Sequence, residues 1–234
     1  MDMKIVIITG TSKGIGKEIA EYFLHQGYIV YGCSRGESTI QMDNYYHEAL
    51  SVGNECAVRS WIRKIIKQSK RIDILICNAG YAPANLLSTM TTSKVFEEVM
   101  YTNVMGTFLF CREVSKIMMK QKKGRIITIS SMAASLHLEG TSAYASSKSA
   151  IIEFTKILAK ELAQFNITCN TVAPSMYMTD GVKALQGKVI EKALQSLTIQ
   201  RTLDLKELIH VIEFFISENC GAITGQVINM GLVN

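Results

Sequence analysis

Short apolar runs alternate with amphipathic stretches along nearly the whole chain. Seven of these runs are rich in β-branched residues and predict strands, at 4–9, 28–34, 46–52, 72–78, 125–130, 167–173 and 225–230. Several are apolar at consecutive positions, which is typical of parallel strands covered by helices on both faces of a sheet.

Helical periodicity fills the segments between these strands. The stretch from Gly14 to Gln26 places its apolar residues on one stripe, and Gly27 follows where a glycine commonly ends a helix. The same reasoning predicts helices at 58–68, about 94–120, about 143–164 and 205–217. Because strands and helices alternate, we expect an α/β fold: a doubly wound Rossmann sheet of about seven parallel strands, in one domain spanning 1–234.

Two connections depart from that regular alternation. The bridge at 35–44 is polar and too short for the helix that such a sheet usually carries there. The connection at 175–201 is long, and long loops tend to be functional or to hold short helices of their own. Its apolar residues include Met176, Tyr177 and Ile190. They would either cover a substrate or pack an amphipathic lid helix, and the second interpretation is the simpler one.

The composition narrows the class of protein. The 234 residues are 48% hydrophobic and 19% charged, the profile of a globular chain that builds a full core. Six dispersed cysteines without a CxxC pair predict free thiols in a reducing, cytoplasmic setting, and no metal site. No apolar run is long enough for a membrane span, and the net charge of +5 is spread out, so neither a membrane nor a nucleic acid is an expected partner.

The first predicted strand ends in a glycine-rich turn, TGTSKGIG at 9–16. Glycines in such a turn let the backbone approach a pyrophosphate, and the following helix offers unpaired N–H groups to the anion. The pattern alone also suits a tight turn that binds nothing, but its place between a strand and a helix favours a dinucleotide site. The residues of this candidate site are Gly10, Ser12, Lys13, Gly14, Ile15 and Gly16.

The end of the second strand indicates which dinucleotide would bind. Enzymes that prefer NAD place a carboxylate there, whereas this chain has Ser34 followed by Arg35. A guanidinium can meet a 2′-phosphate with a planar fork of donors, and Lys13 adds a second cation. Both cations could instead be solvated surface charges, but their convergence predicts NADP(H) in preference to NAD(H).

Candidate acid–base chemistry lies in the stretch TSAYASSKSA at 141–150. Tyr144 and Lys148 are four residues apart, so they would share one face of a helix. A neighbouring ammonium favours the phenolate, and we therefore expect Lys148 to lower the pKa of Tyr144 toward a range useful for proton transfer. The pair alone is usually structural. Ser131, thirteen residues upstream, adds a hydroxyl at the edge of the sheet where α/β ligands bind.

Five motifs occur in order: the glycine turn at 9–16, CNAG at 77–80, YTNVMGTF at 101–108, ISS at 129–131 and YASSK at 144–148. Together they resemble the short-chain dehydrogenase/reductases over nearly the whole chain, in particular NADP-preferring 3-oxoacyl thioester reductases. The resemblance implies that Tyr144 is the acid/base, that Lys148 lowers its pKa and bonds the nicotinamide ribose, and that Ser131 holds the substrate oxygen. It also implies that Asn103 bends a helix and anchors a water on a proton route.

The resemblance also implies contacts with the cofactor. Asn78, Ala79 and Gly80 would support the central strands and pass beside the adenosine ribose. The chain departs from the family pattern at three places. Ser51 stands where the family commonly has an acid near the adenine, and Pro174 is followed by Ser175 where the family has glycine. The short bridge at 35–44 is the third departure. Thr179 stands where a family threonine bonds the carboxamide.

Function follows from these expectations. The chain would transfer a hydride between nicotinamide and a small carbonyl or alcohol substrate whose identity stays open, and it would form a homodimer or homotetramer. The alternative is a nucleotide-binding sensor or scaffold that keeps the fold and has lost turnover. Its retained tyrosine and lysine argue against that alternative.

Overall fold

A computed structural model of the protein describes residues 3–178 and 187–233. Its centre is a parallel sheet with the strand order β3-β2-β1-β4-β5-β6-β7. The strands are β1 (Ile5–Thr9), β2 (Ile29–Ser34), β3 (Tyr45–Ala49), β4 (Ile74–Cys77), β5 (Gly124–Ile129), β6 (Ile167–Ala173) and β7 (Val227–Asn229). The predicted doubly wound Rossmann sheet is therefore confirmed.

Helices cover both faces of this sheet. They are α1 (Gly14–His25), α2 (Glu55–Ser69), α3 (Ser93–Met100), α4 (Gly106–Gln121), α5 (Ala133–Leu136), α6 (Ser142–Leu162), α7 (Gly187–Gln195) and α8 (Leu205–Ile216), with short 3₁₀ turns at Ala163–Phe165 and Glu218–Cys220. One core layer packs α2, α4 and α6 against the sheet, and the other packs α1 and α8. Apolar side chains on both sides explain why the strands read as continuous apolar runs.

The strand order reverses between β1 and β4, because β1 pairs with β2 on one side and with β4 on the other. The carboxyl ends of strands beside such a switch point leave a crevice in which α/β proteins bind ligands. The glycine turn follows β1 and the CNAG motif ends β4. The fold therefore brings these two motifs to the same edge.

Three local features bear on the sequence predictions. The bridge at 35–44 contains no helix, as expected. The helix predicted at about 94–120 is interrupted by a π-helical turn, Tyr101–Met105, between α3 and α4. The long connection at 175–201 carries α7, while residues 179–186 lie outside the described part of the chain.

Candidate active site

The glycine turn lies against the loop that follows β4. A Cβ added to Gly16 would lie 2.2 Å from both Asn78 Nδ2 and the Gly10 carbonyl, and one added to Gly10 would lie 2.9 Å from Ala79 Cα. Gly10 and Gly14 also have positive φ angles of 80° and 57°. Only glycine meets both demands, so the two loops approach more closely than any other residue would allow.

The amino end of α1 is open to an anion. Its N-cap residue, Lys13, makes no side-chain cap hydrogen bond, and its first turn contains no acidic residue. The unpaired N–H groups of that turn and the positive end of the helix dipole therefore face the crevice without a competing carboxylate. These features fit a dinucleotide pyrophosphate, and Ser12 and Ile15 belong to the same turn.

Asn78 joins the central strands. Its Nδ2 donates to the Thr9 carbonyl at 3.0 Å, while the Thr9 hydroxyl accepts from the backbone N–H groups of Asn78 and Ala79. Thr9 is buried and was not singled out by the sequence reasoning. Its hydroxyl therefore holds the backbone of Asn78 and Ala79 in place, directly before Gly80 in the chain.

Both predicted 2′-phosphate cations are exposed: Arg35 directly follows β2, and Lys13 lies in the glycine turn. The Arg35 side chain is 72% exposed, and its Nη1 lies 3.9 Å from Glu98 Oε1 on α3. Glu37 is two residues along the chain from Arg35, and Glu98 is an acid that sequence reasoning missed because it is distant along the chain. Ser34 is buried and donates its hydroxyl proton to the Gly36 carbonyl at 2.8 Å. Ser51 lies just beyond β3, where its carbonyl accepts from the Asn54 N–H.

Asn103 lies at the centre of the π-helical turn and is fully buried. Its Nδ2 donates to the Tyr81 carbonyl at 3.1 Å and to Ser147 Oγ at 2.9 Å, and its Oδ1 accepts from the Tyr81 N–H at 2.7 Å. A wide turn of this kind is common at functional sites. The amide thus ties the β4 loop to α6 one residue before Lys148, in agreement with the expected distortion of the helix.

Lys148 is 3% exposed and its ammonium donates to the Ile129 carbonyl at 2.8 Å. A Cβ added to Gly80 would lie 3.4 Å from Lys148 Nζ and 3.5 Å from Asn103 Oδ1, so the CNAG loop passes directly over both groups. Burial lowers the pKa of Lys148 to about 8. The lysine is therefore close to losing its proton in the physiological range.

Tyr144 lies near both Ser131 and the Lys148 ammonium, but of the two only Ser131 acts on the pKa of its phenol. Burial raises the pKa of Tyr144, and a hydrogen bond with Ser131 opposes that rise. Lys148 Nζ lies 5.7 Å from the centroid of the phenol ring. The expectation that Lys148 lowers the pKa of Tyr144 is therefore wrong for this arrangement: the two share a helix face, but the ammonium turns to a backbone carbonyl and burial dominates the phenol.

The strand β6 ends beside the segment that carries Ser131. The Pro174 carbonyl accepts from the Met132 N–H at 3.1 Å, and Ser175 has no positive φ. The serine in place of glycine therefore introduces no backbone strain. Tyr177 donates to Glu18 Oε2 of α1 at 2.6 Å, and burial together with this carboxylate raises its pKa to about 12. Thr179 lies outside the described residues.

A cleft adjoins Tyr144. It is lined by Pro83, Ala84, Asn85, Leu86, Thr91, Val95, Gly140, Thr141, Ala143 and Tyr144. The Leu86 N–H donates to the Gly140 carbonyl at 3.1 Å, which joins the two loops that form its walls. Leu86, Leu87, Met90 and Leu138 on these loops are large apolar residues exposed to solvent.

All six cysteines are free thiols. Cys33, Cys77, Cys111, Cys169 and Cys220 are buried free thiols and Cys56 is exposed, which confirms the expectation of unpaired cysteines. Across residues 3–178 and 187–233, none of the helices combines the length and the hydropathy that crossing a bilayer requires.

Comparison with known proteins agrees with this geometry. The family model for short chain dehydrogenase matches residues 4–189. The 3-oxoacyl-(acyl-carrier-protein) reductase FabG of Vibrio cholerae is 33% identical over 236 residues, which cover 98% of this chain and 96% of the relative. The protein of the same name from Escherichia coli is 33% identical over 233 residues, covering 97% and 95%.

Two solved structures of ElxO are similar in fold. The one with NADP bound has a TM-score of 0.91 and 30% sequence identity, and the match covers 98% of this chain and 97% of that one. The other is a tyrosine-to-phenylalanine variant with NADPH bound, with a TM-score of 0.90 and 30% identity. On the family match, the full-length relatives and the shared sheet, the chain belongs to the short-chain dehydrogenase family of oxidoreductases.

Proposed function

We propose that the protein is an NADPH-dependent carbonyl reductase, able to run in reverse as an alcohol dehydrogenase, with Tyr144 as its acid/base. The observation that carries the proposal is the meeting of Ser131, Tyr144, Lys148 and Asn103 beside an open helix N-terminus. The chain's own groups supply proton transfer and orientation. A bound nicotinamide cofactor would supply the hydride.

Tyr144 suits the acid in this proposal. Because burial raises its pKa, the phenol keeps its proton until a more basic oxygen is presented to it. A carbonyl oxygen accepts from both Tyr144 and Ser131 in this scheme, and the negative charge that develops on it draws the phenolic proton. Ser131 lowers the pKa of the phenol from close by, so both hydroxyls would donate to one substrate oxygen placed between them.

Lys148 and Asn103 support the return of the proton. The pKa of about 8 makes the ammonium a proton source near neutral pH. Asn103 fixes Ser147 on α6 and the backbone at Tyr81, which positions Lys148 against the loop bearing Gly80. In this scheme Asn103 is a positioning residue. Lys148 contacts the cofactor ribose and returns a proton to the Tyr144 phenolate.

Preference for NADP(H) rests on the charge at the end of β2. Arg35 and Lys13 are exposed cations, and Ser34 occupies the position at which NAD-dependent enzymes have a carboxylate. The similar ElxO structures contain NADP and NADPH. Glu98 competes for Arg35 only across a long, exposed contact, and such contacts contribute little.

The substrate is proposed to be a carbonyl compound with an apolar tail, of the 3-oxoacyl thioester kind or close to it. Exposed leucines and a methionine border the cleft beside Tyr144. Apolar side chains at the rim would contact an aliphatic chain whose carbonyl reaches the phenol. The relatives named as 3-oxoacyl reductases agree with this class.

Oligomerisation is part of the proposal. Phe108 on α4 and Ile157 on α6 are exposed apolar residues on adjoining helices, and β7 lies at the edge of the sheet. Such a surface suits pairing of two copies into a homodimer or homotetramer. Sedimentation of the purified protein would test it, and a monomer at assay concentration would refute it.

The decisive experiment follows NADPH oxidation with 3-oxoacyl thioesters, ketones and quinones. Tyr144→Phe should lower kcat by at least about 100-fold, the usual contribution of a positioned acid, while NADPH still binds. Tyr46→Phe removes the same atom from a tyrosine that is 50% exposed on β3 and should leave kcat unchanged. Activity that survives in Tyr144→Phe refutes the mechanism. Tight NADPH binding without turnover of any substrate would support the sensor or scaffold alternative.

A further inference from the structure

Two serines directly follow β5, and the proposed chemistry uses only one of them. Ser131 belongs to the candidate active site. Ser130, one residue before it, is 2% exposed, and its hydroxyl donates to the Lys148 carbonyl at 2.9 Å. A buried hydroxyl needs an acceptor, and this one takes its acceptor from the backbone of the lysine. The bond therefore joins the end of β5 to α6 at the residue on which the proposed return of the proton depends.

The Lys148 carbonyl does not need this bond for its own satisfaction. Lys148 lies inside α6, where each carbonyl accepts from the backbone N–H four residues later. A carbonyl oxygen has a second lone pair, and the Ser130 hydroxyl occupies it. Because the helix forms without this contact, the effect of the contact falls on the position of the helix relative to the strand.

The side chain of Lys148 is tied to the residue of β5 that precedes Ser130. Its ammonium donates to the Ile129 carbonyl at 2.8 Å. The lysine is thus held at its backbone and at its charged end by two consecutive residues. The four-carbon stem of a lysine is flexible, so fixing both of its ends defines the path of the side chain.

The end of β5 is a firm support for these two bonds. The strand pairs with β4 on one side and with β6 on the other, and the Ser130 N–H donates to the Val172 carbonyl of β6 at 2.8 Å. Groups held by paired strands are placed more precisely than groups held by loops. Ser131 follows in the chain, so one support sets the positions of Ser131 and Lys148 relative to each other.

A second bond of the same kind joins β5 to α6 further from the candidate site. Thr155 of α6 is 1% exposed, and its hydroxyl donates to the Ile151 carbonyl at 2.8 Å. Its oxygen lies 2.9 Å from Thr128 Oγ1 of β5, and Thr128 is the donor because the Thr155 proton is already used. Thr155 lies about two helical turns, roughly 10 Å, beyond Lys148 along α6. It therefore provides a matched bond between the same two elements, remote from the lysine.

We propose that Ser130 is a positioning residue, which holds the backbone of Lys148 where its ammonium can serve the Tyr144 phenol. This inference rests on the proposed function, in which Lys148 returns a proton to the Tyr144 phenolate. Without the Ser130 bond, the turn of α6 that carries Lys148 can shift along β5 while the Ile129 carbonyl stays in place. A misplacement of about 1 Å can lower a rate about 100-fold, so even a smaller shift should be visible in kcat.

The test compares Ser130→Ala with Thr155→Val. Each substitution removes a buried hydroxyl and a bond between β5 and α6. Thr155→Val also removes the bond to the Ile151 carbonyl, so it should destabilise the protein at least as much. Ser130→Thr keeps the hydroxyl and is the conservative variant. Oxidation of saturating NADPH by a 3-oxoacyl thioester gives kcat and KM, and denaturant titration gives the free energy of unfolding.

We expect Ser130→Ala to lower kcat by about 10-fold and to leave the KM for the thioester within about 2-fold, because the lost contact acts on proton transfer and not on substrate binding. Ser130→Thr should recover most of the wild-type kcat. Thr155→Val should keep kcat within about 2-fold in spite of its loss of stability. An unchanged kcat in Ser130→Ala would overturn the inference, as would equal losses of kcat in Ser130→Ala and Thr155→Val. So would a Ser130→Thr protein that unfolds like wild type and still has the low kcat.

A double substitution shows whether Ser130 acts through the lysine. Lys148→Met removes the group that Ser130 is proposed to hold, so adding Ser130→Ala to it should lower kcat by no more than about 2-fold further. A further loss of about 10-fold, as large as in the wild-type background, would mean that Ser130 acts on another group, and the inference would fail.

Hydrogen exchange separates this inference from the proposed function, because it requires no turnover. Ser130→Ala should speed amide exchange at 144–152, whereas Thr155→Val should act further along α6. If the wild-type protein reduces no carbonyl but exchange quickens as expected, the positioning of Lys148 stands and the reductase proposal fails. If Tyr144→Phe abolishes turnover and Ser130→Ala changes neither kcat nor exchange, the reductase stands and the role of Ser130 is refuted.

Discussion

The two ends of the candidate site hold their polar groups in different ways. At the end proposed for proton transfer, Asn103 is fully buried and Lys148 is 3% exposed, and each is bonded at 3.1 Å or less. At the end proposed to bind the 2′-phosphate, Arg35 is 72% exposed and its only described ion pair is 3.9 Å long. Charge and amide groups are thus fixed at one end and loosely held at the other.

The difference reflects what each end must do. Buried polar groups are costly unless they are satisfied, so the proton-transfer end has little freedom to change without loss of structure. An exposed arginine costs little and can rearrange on binding a phosphate. We therefore expect substitutions at the first end to alter kcat and stability, and those at the second to alter only affinity for the cofactor.

The largest effect is expected for Lys148→Met. Removal of the ammonium leaves the phenol without its proton source, and kcat should fall by about 100-fold or more, the usual size of an acid–base contribution. Steady-state kinetics with saturating NADPH would measure the loss. The control is Lys156→Met on the same helix, an exposed lysine paired with Glu153 at 2.7 Å, which should retain kcat. A Lys148→Met enzyme with wild-type kcat would contradict the assignment.

The same variant gives a test of burial through pH. Burial lowers the pKa of Lys148 from 10.5 to about 8 in the folded protein. Between those values the unfolded state binds more protons, so the free energy of unfolding should rise with pH through that window. Lys148→Met cannot titrate there. The melting temperature of wild type, relative to that of the variant, should therefore rise between about pH 8 and pH 10. If the two melting temperatures change in parallel with pH, the lysine is not desolvated.

A smaller loss of activity but a clear loss of stability is expected for Asn103→Leu. The substitution leaves the backbone of Tyr81 without a partner at two positions and also removes the bond to Ser147. Buried unsatisfied groups cost about 1–3 kcal/mol each, and we expect a net loss of about 3 kcal/mol in the free energy of unfolding. Denaturant titration would measure it.

Ser115→Ala is the matched control for that loss. Ser115 is buried on α4, and within the described residues its hydroxyl has no hydrogen-bond partner. Its removal should change the free energy of unfolding by less than about 0.5 kcal/mol, because no bond is lost. If both substitutions cost the same, then the network around Asn103 contributes nothing beyond side-chain volume.

At the exposed end, Arg35→Ser should raise the KM for NADPH by about 10-fold through loss of a charge-assisted hydrogen bond, with kcat and the KM for NADH unchanged. Lys120→Ser removes the same charge from the last turn of α4, just before β5 begins, at the opposite edge of the sheet. It should leave both KM values unchanged. A parallel rise in the KM for NADH would show that Arg35 acts on the whole nucleotide and not on the 2′-phosphate.

The sequence allowed the fold to be predicted because each element carries its own signal. Apolar runs indicated the strands, and the glycine at position 27, with a φ of 78°, ends α1 as expected. The local motifs likewise indicated which residues meet at the carboxyl edge of the sheet. Their spacing was informative because parallel strands bring consecutive strand ends together.

Other features could not be read from local pattern. Whether Lys148 faces the phenol or a carbonyl depends on Ile129, which lies on another element. Burial, which sets the direction of the pKa of Tyr144, depends on the elements that pack around the phenol in the folded protein. Glu98 is 63 residues from Arg35 along the chain. It lies on α3 and not in the bridge that contains Arg35. Tertiary contacts of this kind have no periodic signature.

Glu98 provides the smallest and most discriminating prediction. Its carboxylate draws the Arg35 guanidinium toward α3 in the absence of phosphate, so Glu98→Gln should lower the KM for NADPH by about 2-fold, as expected for an exposed pair worth under 1 kcal/mol. The adjacent exposed Glu97→Gln removes the same charge without that contact and should change nothing. The gain should shrink at high salt, where exposed pairs are screened. Equal effects of the two substitutions would mean that the general field of α3, and not the pair with Arg35, sets the affinity at this end of the site.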